Sequence, residues 1–206
     1  RSTLFPYTTL FRSLAELEFA RIGYRVTGND LSGFLLEKTR EEALALGIQA
    51  RFTRNDMRTL SEENLYDLVV QLFTSFGYFK TEQEDRLVLG NVHRALLPGG
   101  WYCLDLINPI WLKRNLVPIS RRSIKQATVV EKRRFAESRV IKEITITPEK
   151  GEPLHFTESV KLFSRREIET MLAETGFILD SIAGDYTGSP FDEESSARMM
   201  LFVRKP

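Results

Sequence analysis

Asp30 and Asp56 are the side chains of this 206-residue sequence best placed to meet a ligand. Each follows a short β-prone run, YRVTGN before the first and IQARFT shortly before the second. In open α/β sheets ligands bind at the carboxyl ends of the strands, so both carboxylates would project toward one crevice. An ionised carboxylate just after a second strand suits the hydroxyls of a ribose. It accepts two hydrogen bonds, each contributing about 1.5–3 kcal/mol when one partner is charged. Asp30 is therefore the ribose candidate. Taken alone, an aspartate at such a place more often caps a helix, and the Asn55–Asp56 pair also suits a turn that bonds its own backbone.

Other chemistries find no support. There is no GxSxG elbow and no P-loop, and none of the 12 glycines lies two positions from another, so no GxG phosphate loop occurs. None of the six tyrosines has a lysine four positions on, as a short-chain dehydrogenase would need. His93, His155 and the lone Cys103 supply no recognisable zinc cluster, and no metal is expected. If a hydroxyl had to be activated, His155 would be the imidazole to nominate as base; a surface histidine on a strand is the commoner case.

The elements that must position these residues alternate helix and strand, the pattern of a parallel sheet with helices on its faces. LAELEFARIG ends a helix at Gly23, Tyr24–Asn29 forms a strand, and Ser32 caps a helix closing at Gly47. Ile48–Thr53 is a second strand. YDLVVQLF is nearly continuous in apolar residues, as expected of a strand buried on both faces. Thr81 with Glu84, and Ser164 with Glu167, are capping boxes, and WYCLDLI is another buried strand. Between them ATVVEKRRF, RVIKEITIT and LHFTESVKLF predict a small antiparallel sheet, and FILDSIAGDY with ARMMLFVRK predicts a closing antiparallel pair.

Composition bounds the rest. The 14 Phe, 6 Tyr and 2 Trp exclude a disordered tail. A net charge of +1 argues against a nucleic-acid binder held by bulk charge. No apolar run reaches the roughly 18 residues that span a bilayer, and a lone cysteine forms no internal disulfide, so the cytosol is the expected compartment. Lys113, Arg114, Arg121, Arg122, Lys125, Lys132, Arg133 and Arg134 form a basic cluster against only Glu131. It reads as a solvated face, or as a surface for an anionic substrate such as a phosphorylated or carboxylated metabolite, or for nucleic acid.

RIGYRVTGNDLSGFLL, ARFTRNDMRTL, YDLVVQLFTSFGYF, ALLPGGWYCLDLIN and SRREIETMLAETGF stand in the order and spacing of the class I S-adenosylmethionine-dependent methyltransferases, which the chain resembles from Leu14 to Pro206. The resemblance implies an α/β fold, a Rossmann-like doubly wound sheet with a small antiparallel β insertion, and S-adenosyl-L-methionine as cofactor. It implies methyl transfer to a small-molecule acceptor. Asp30 would bind the ribose hydroxyls, Leu31 would pack on adenine, Asp56 would accept from the adenine amino group, and Met57 would line the same pocket. Leu72 and Phe73 would lie along the methionine portion, with Tyr78 near the transferred methyl. Residues 14–110 and 164–206 would form the methyltransferase domain and 111–163 a substrate-binding lid.

The family's first strand and glycine-rich loop have no counterpart here. In their place RSTLFPYTTLFRS resembles the translation of a common sequencing adapter, so residues 1–13 are set apart as non-native. The resemblance then implies an N-terminally truncated, inactive fragment that binds S-adenosylmethionine poorly or not at all, although the β-prone TLFPYTTLF could fill the gap imperfectly. An NAD-dependent oxidoreductase also wants an acid after its second strand, and a non-catalytic nucleotide-binding module of the same fold is a third possibility.

Overall fold

The computed structural model describes residues 8–124 and 126–206. The chain divides into two compact units between Ser61 and Glu62.

The first unit opens with helix α1 (Thr8–Arg21), which Gly23 ends in a left-handed conformation (φ 101°). Residues 8–13 therefore do not fill a strand position; Arg1–Tyr7 lie outside the described residues. The Leu-, Ala- and Glu-rich LAELEFAR run that follows is strongly helix-forming, and helix growth is cooperative, so these residues are drawn into the same helix. Strands β1 (Thr27–Asn29) and β2 (Arg51–Thr53) pair in parallel, Gly28 opposite Phe52. Both are shorter than their sequences suggest. Helix α2 (Gly33–Ala45) joins them; its N-terminus is capped by Ser32, whose hydroxyl accepts from Leu35 N–H at 3.3 Å, and it buries Leu36, Thr39 and Ala43.

The second unit holds two sheets. In the first, β3 (Tyr66–Gln71), β4 (Leu96–Ile107), β9 (Ile178–Ala183) and β10 (Arg198–Arg204) lie in the order β3-β4-β10-β9. The β3–β4 pair is parallel and β10 runs antiparallel to both its neighbours. Helices α3 (Glu82–Ala95) and α5 (Arg165–Thr175) begin with the capping boxes Thr81–Glu84 and Ser164–Glu167, and Gly176 ends α5 at φ 99°. Val88, Leu89, Val92 and Ile168, Met171, Leu172 are buried from these two helices, with Tyr102, Leu104, Met199 and Leu201 from the strands.

β3 departs from expectation. It was predicted to be buried on both faces, yet Leu68 is 43% and Val70 36% exposed. The cause is topological: β3 is the edge strand of its sheet, with β4 as its one neighbour among the described residues. β1 and β2, by the same token, form a sheet of their own.

After the short helix α4 (Pro109–Asn115), strands β5 (Ile119–Ile124), β6 (Ala127–Ala136), β7 (Arg139–Pro148) and β8 (Leu154–Lys161) make an antiparallel meander. Three of these strands match the predicted runs. β5 was missed because its ISRRSI sequence has two adjacent arginines and no apolar alternation. Gly77 ties this sheet to the chain after β3: its carbonyl accepts from Lys161 N–H at 2.8 Å and from Arg139 Nη2 at 3.0 Å. Its φ is 88°, and a Cβ there would lie 2.8 Å from the Lys161 carbonyl oxygen. Gly77→Ala is thus expected to destabilise the second unit by about 1–3 kcal/mol, seen as a lower thermal midpoint.

Candidate active site

In the first unit, the end of β1 and the turn after β2 are stapled together. The Asn29 amide donates to the Asn55 carbonyl at 3.0 Å, while its oxygen accepts from Asn55 N–H at 3.0 Å and from the Thr53 hydroxyl at 2.9 Å. This brings the loops bearing Asp30 and Asp56 side by side at the carboxyl ends of two parallel strands. Asp30 does not cap α2. Its Oδ1 accepts from Ser32 N–H at 2.7 Å, closing the turn that leads into the helix. No hydrogen bond to Oδ2 occurs among the described residues, which leaves that oxygen for a ligand.

Asp56 is more heavily committed. It caps the 3₁₀ turn Met57–Thr59, accepting from Arg58 N–H at 2.9 Å. Its two oxygens also take the Arg58 guanidinium, at 3.1 Å from Nε to Oδ1 and 2.6 Å from Nη2 to Oδ2. These hydrogen bonds hold its carboxyl below the usual range. Nε also lies 3.2 Å from Oδ2, so these four bonds match the about four lone-pair positions of an ionised carboxylate, and a ligand there would compete with Arg58. Leu31 is exposed, with its carbonyl accepting from Arg54 Nε at 3.0 Å, and Met57 is half-buried.

Glu16 was not singled out from sequence. Its carboxylate lies against the backbone of Gly28, where an added Cβ would come within 2.7 Å of Oε2. Burial, and then the charge of Asp30, push its carboxyl up to about 7. Nothing in the local pattern of α1 distinguishes it from the neighbouring exposed Glu18.

In the second unit the chain leaves β3 through Leu72, Phe73 and Thr74. Leu72 packs with Phe202 against Cys103, Ala183 and Met200, which gives it a firm anchor in the core. Phe73 and Thr74 both take left-handed backbone conformations, φ 56° each. Phe76 is fully buried against Phe163, whereas Tyr78 is 40% exposed. Asp105, on β4, is fully buried and accepts from Phe73 N–H at 2.7 Å. It was not singled out from sequence; an acid inside the apolar WYCLDLI run could have signalled it, because a buried carboxylate must be paired. His155 stands exposed on β8, 3.2 Å from the Thr145 hydroxyl. In the basic cluster, buried Glu131 accepts from Arg122 at 3.0 Å, from Arg133 and from the Ser120 hydroxyl, so part of that charge is neutralised internally; Lys125 lies outside the described residues.

Residues 13–100 match a methyltransferase domain family. The chain is 23% identical over 199 residues to the cypemycin N-terminal methyltransferase of a Streptomyces species, covering 93% of this chain and 79% of that protein. Among solved structures, an S-adenosylmethionine-dependent methyltransferase from Clostridium acetobutylicum superposes with a TM-score of 0.78 at 15% identity, over 90% of this chain and 77% of that one. The amino pentose methyltransferase CalS10 of Micromonospora echinaspora, solved with S-adenosylmethionine bound, gives 0.66 at 20% identity, over 94% and 80%.

Proposed function

We propose, from the premise that residues 13–100 carry a methyltransferase domain and that the chain has the fold of the S-adenosylmethionine-dependent methyltransferases, that this protein methylates an amine nitrogen of a small molecule. The observation that carries the cofactor half of the reading is the Asp30 carboxylate at the end of β1. Its Oδ1 is fixed by Ser32, and its Oδ2 is open to a ribose hydroxyl. Leu31 and Met57 would flank the adenine, and Asp56 would accept from the adenine amino group in place of part of its Arg58 contact.

When bound, S-adenosylmethionine supplies a methyl group on a sulfonium, which leaves as a thioether when a nucleophile attacks in line. What the chain contributes is orientation and exclusion of water, effects that reach about 7–11 kcal/mol in intramolecular analogues. A neutral amine brings its own lone pair and loses its proton after transfer, so no buried base is required. The exposed setting of His155 fits that scheme. The amine is favoured because two similar proteins are named for an N-terminal and an amino-sugar acceptor. A second, independent support is the near-neutral net charge of +1, which suits a small molecule better than a nucleic acid.

Among the described residues β3 is an edge strand, with Leu68 and Val70 half-exposed, which favours a further strand pairing beside it. The chain as it stands is accordingly proposed to bind S-adenosylmethionine in the range of about 1 mM, near 4 kcal/mol. A form with a strand and glycine-rich loop ahead of Leu14 would bind it more tightly. In that form, labelled methyl should pass from S-adenosylmethionine to members of an amine panel and not to matched alcohols or carboxylates, read by mass spectrometry. Transfer to oxygen alone would overturn the acceptor, and binding of NAD in preference to S-adenosylmethionine would overturn the cofactor.

A further inference from the structure

The meander of the second unit ends on an open edge. β5 has β6 as its one neighbour among the described residues. The register sets Ser120 opposite Glu131 and Arg122 opposite Val129, and just before the strand Arg133 N–H donates to the Pro118 carbonyl at 2.7 Å. Hydrogen-bonded pairs alternate along an antiparallel ladder, so Ser120, Arg122 and Ile124 are the residues bonded to β6. Ile119, Arg121 and Ser123 therefore turn their N–H and C=O groups outward, a row able to pair with another strand.

The side chains of those three residues share one face of the sheet. Ile119 is 62% exposed, and Arg121 and Ser123 are exposed too. Lys132 stands opposite Ile119 on the same face. Arg121 and Lys132 make no ion pair or hydrogen bond among the described residues, whereas Arg122 and Arg133, on the other face, are held by the buried Glu131. The basic cluster thus keeps its unneutralised charge beside the outward row. A second copy of the chain fits this edge poorly. The antiparallel register that engages the whole row pairs Ile119 with Ser123 and sets two Arg121 side chains directly opposite each other, which is destabilising. A carboxylate at that position turns the same contact into an attraction.

We infer that the open edge of β5 is a docking site for an extended acidic peptide segment, which joins the meander as a fifth strand. Running antiparallel to β5, the segment presents a hydroxyl side chain to Ser123, an acid to Arg121 two residues later, and an apolar side chain to Ile119 two residues after that. Main-chain hydrogen bonds supply the affinity of such an added strand, and its alternate side chains supply the specificity. The site lies wholly within the second unit and needs neither the cofactor nor the proposed methyl transfer.

The test titrates the full chain, by fluorescence anisotropy at low salt, with a labelled peptide whose central glutamate lies two residues after a threonine and two before a valine. A second peptide carries lysine in place of the glutamate. A third is N-methylated at the threonine, glutamate and valine, which keeps its charge and removes the donors that would meet β5. Arg121→Glu reverses the charge of the edge, and Ser123→Pro removes one outward donor while leaving the bonds to β6 in place. The glutamate peptide should bind about tenfold or more tightly than the lysine peptide, and should lose about tenfold or more on N-methylation and with each variant. On binding, amide NMR shifts should centre on residues 119–124. The N-methylated peptide leaves the protein untouched, so that comparison stands even where a variant fails to fold. No binding of the glutamate peptide, equal binding of the lysine peptide, an N-methylated peptide as tight as its parent, or shifts centred elsewhere would overturn the inference and assign the arginines to guarding the edge.

Discussion

Asp30→Ala should lower affinity for S-adenosylmethionine by about 3 kcal/mol or more, on the order of a hundredfold, because two charge-assisted hydrogen bonds of about 1.5–3 kcal/mol each are lost. Calorimetry on a form carrying a strand and glycine-rich loop ahead of Leu14 would leave enough initial affinity to see the whole loss. Asp30→Asn separates ligand binding from the turn. Its amide oxygen can still accept from Ser32 N–H, as Oδ1 does at 2.7 Å, but the amide nitrogen then faces the ribose without a negative charge. Asn should therefore preserve the thermal midpoint and lose most of the affinity. A full loss of affinity with Ala and none with Asn would assign Asp30 to the turn alone.

The second large effect concerns Glu16 and pH. Its carboxyl ordinarily titrates at 4.5 and is pushed up to about 7 in the folded chain, by burial first and by the Asp30 charge second. Between those two values the folded chain keeps a proton that the unfolded chain has released. This contribution to stability is fully present below about pH 4.5 and is lost as pH rises through about 7. The shift corresponds to about 3 kcal/mol. Glu16→Gln should remove this dependence and leave the first unit more stable than the parent at pH 8, measured by hydrogen exchange of the α1 and α2 amides against pH. An unchanged pH profile in the variant would place the cost elsewhere.

What could be read from the sequence was what is decided locally. The capping boxes at Thr81 and Ser164 and the left-handed glycines at positions 23, 47 and 176 all follow from residues within one turn of each other. The exposure of Leu68 and Val70 could not be read this way. It depends on how many neighbours β3 has, whereas an apolar run reports only what a strand can bury. β5 escaped for the opposite reason, since its edge position tolerates two adjacent arginines and a run without apolar alternation.

The candidate site divides along the same line. Asp30 and Asp56 were found because they follow strands that were legible, whereas Leu31 and Met57 came only with the family resemblance. That Arg58 would occupy both oxygens of Asp56 was not legible, because that pairing depends on the 3₁₀ geometry of the turn. Asp105 was missed, although an acid in an apolar strand could have signalled it; its partners Arg198 and Tyr186 stand 93 and 81 residues away in the chain. Glu16 meets Asp30 only once α1 packs over Gly28.

The account stands on the Asp30 carboxylate receiving ribose hydroxyls, and a thermodynamic cycle addresses that contact alone. Adenosine and an adenosine lacking both ribose hydroxyls would be titrated into the extended form with Asp30 and with Asp30→Asn. If the carboxylate and the hydroxyls bond each other, removing either should cost nearly the whole interaction and removing both little more. Two losses that simply add, or an Asn variant that still discriminates between the two nucleosides as the parent does, would contradict it.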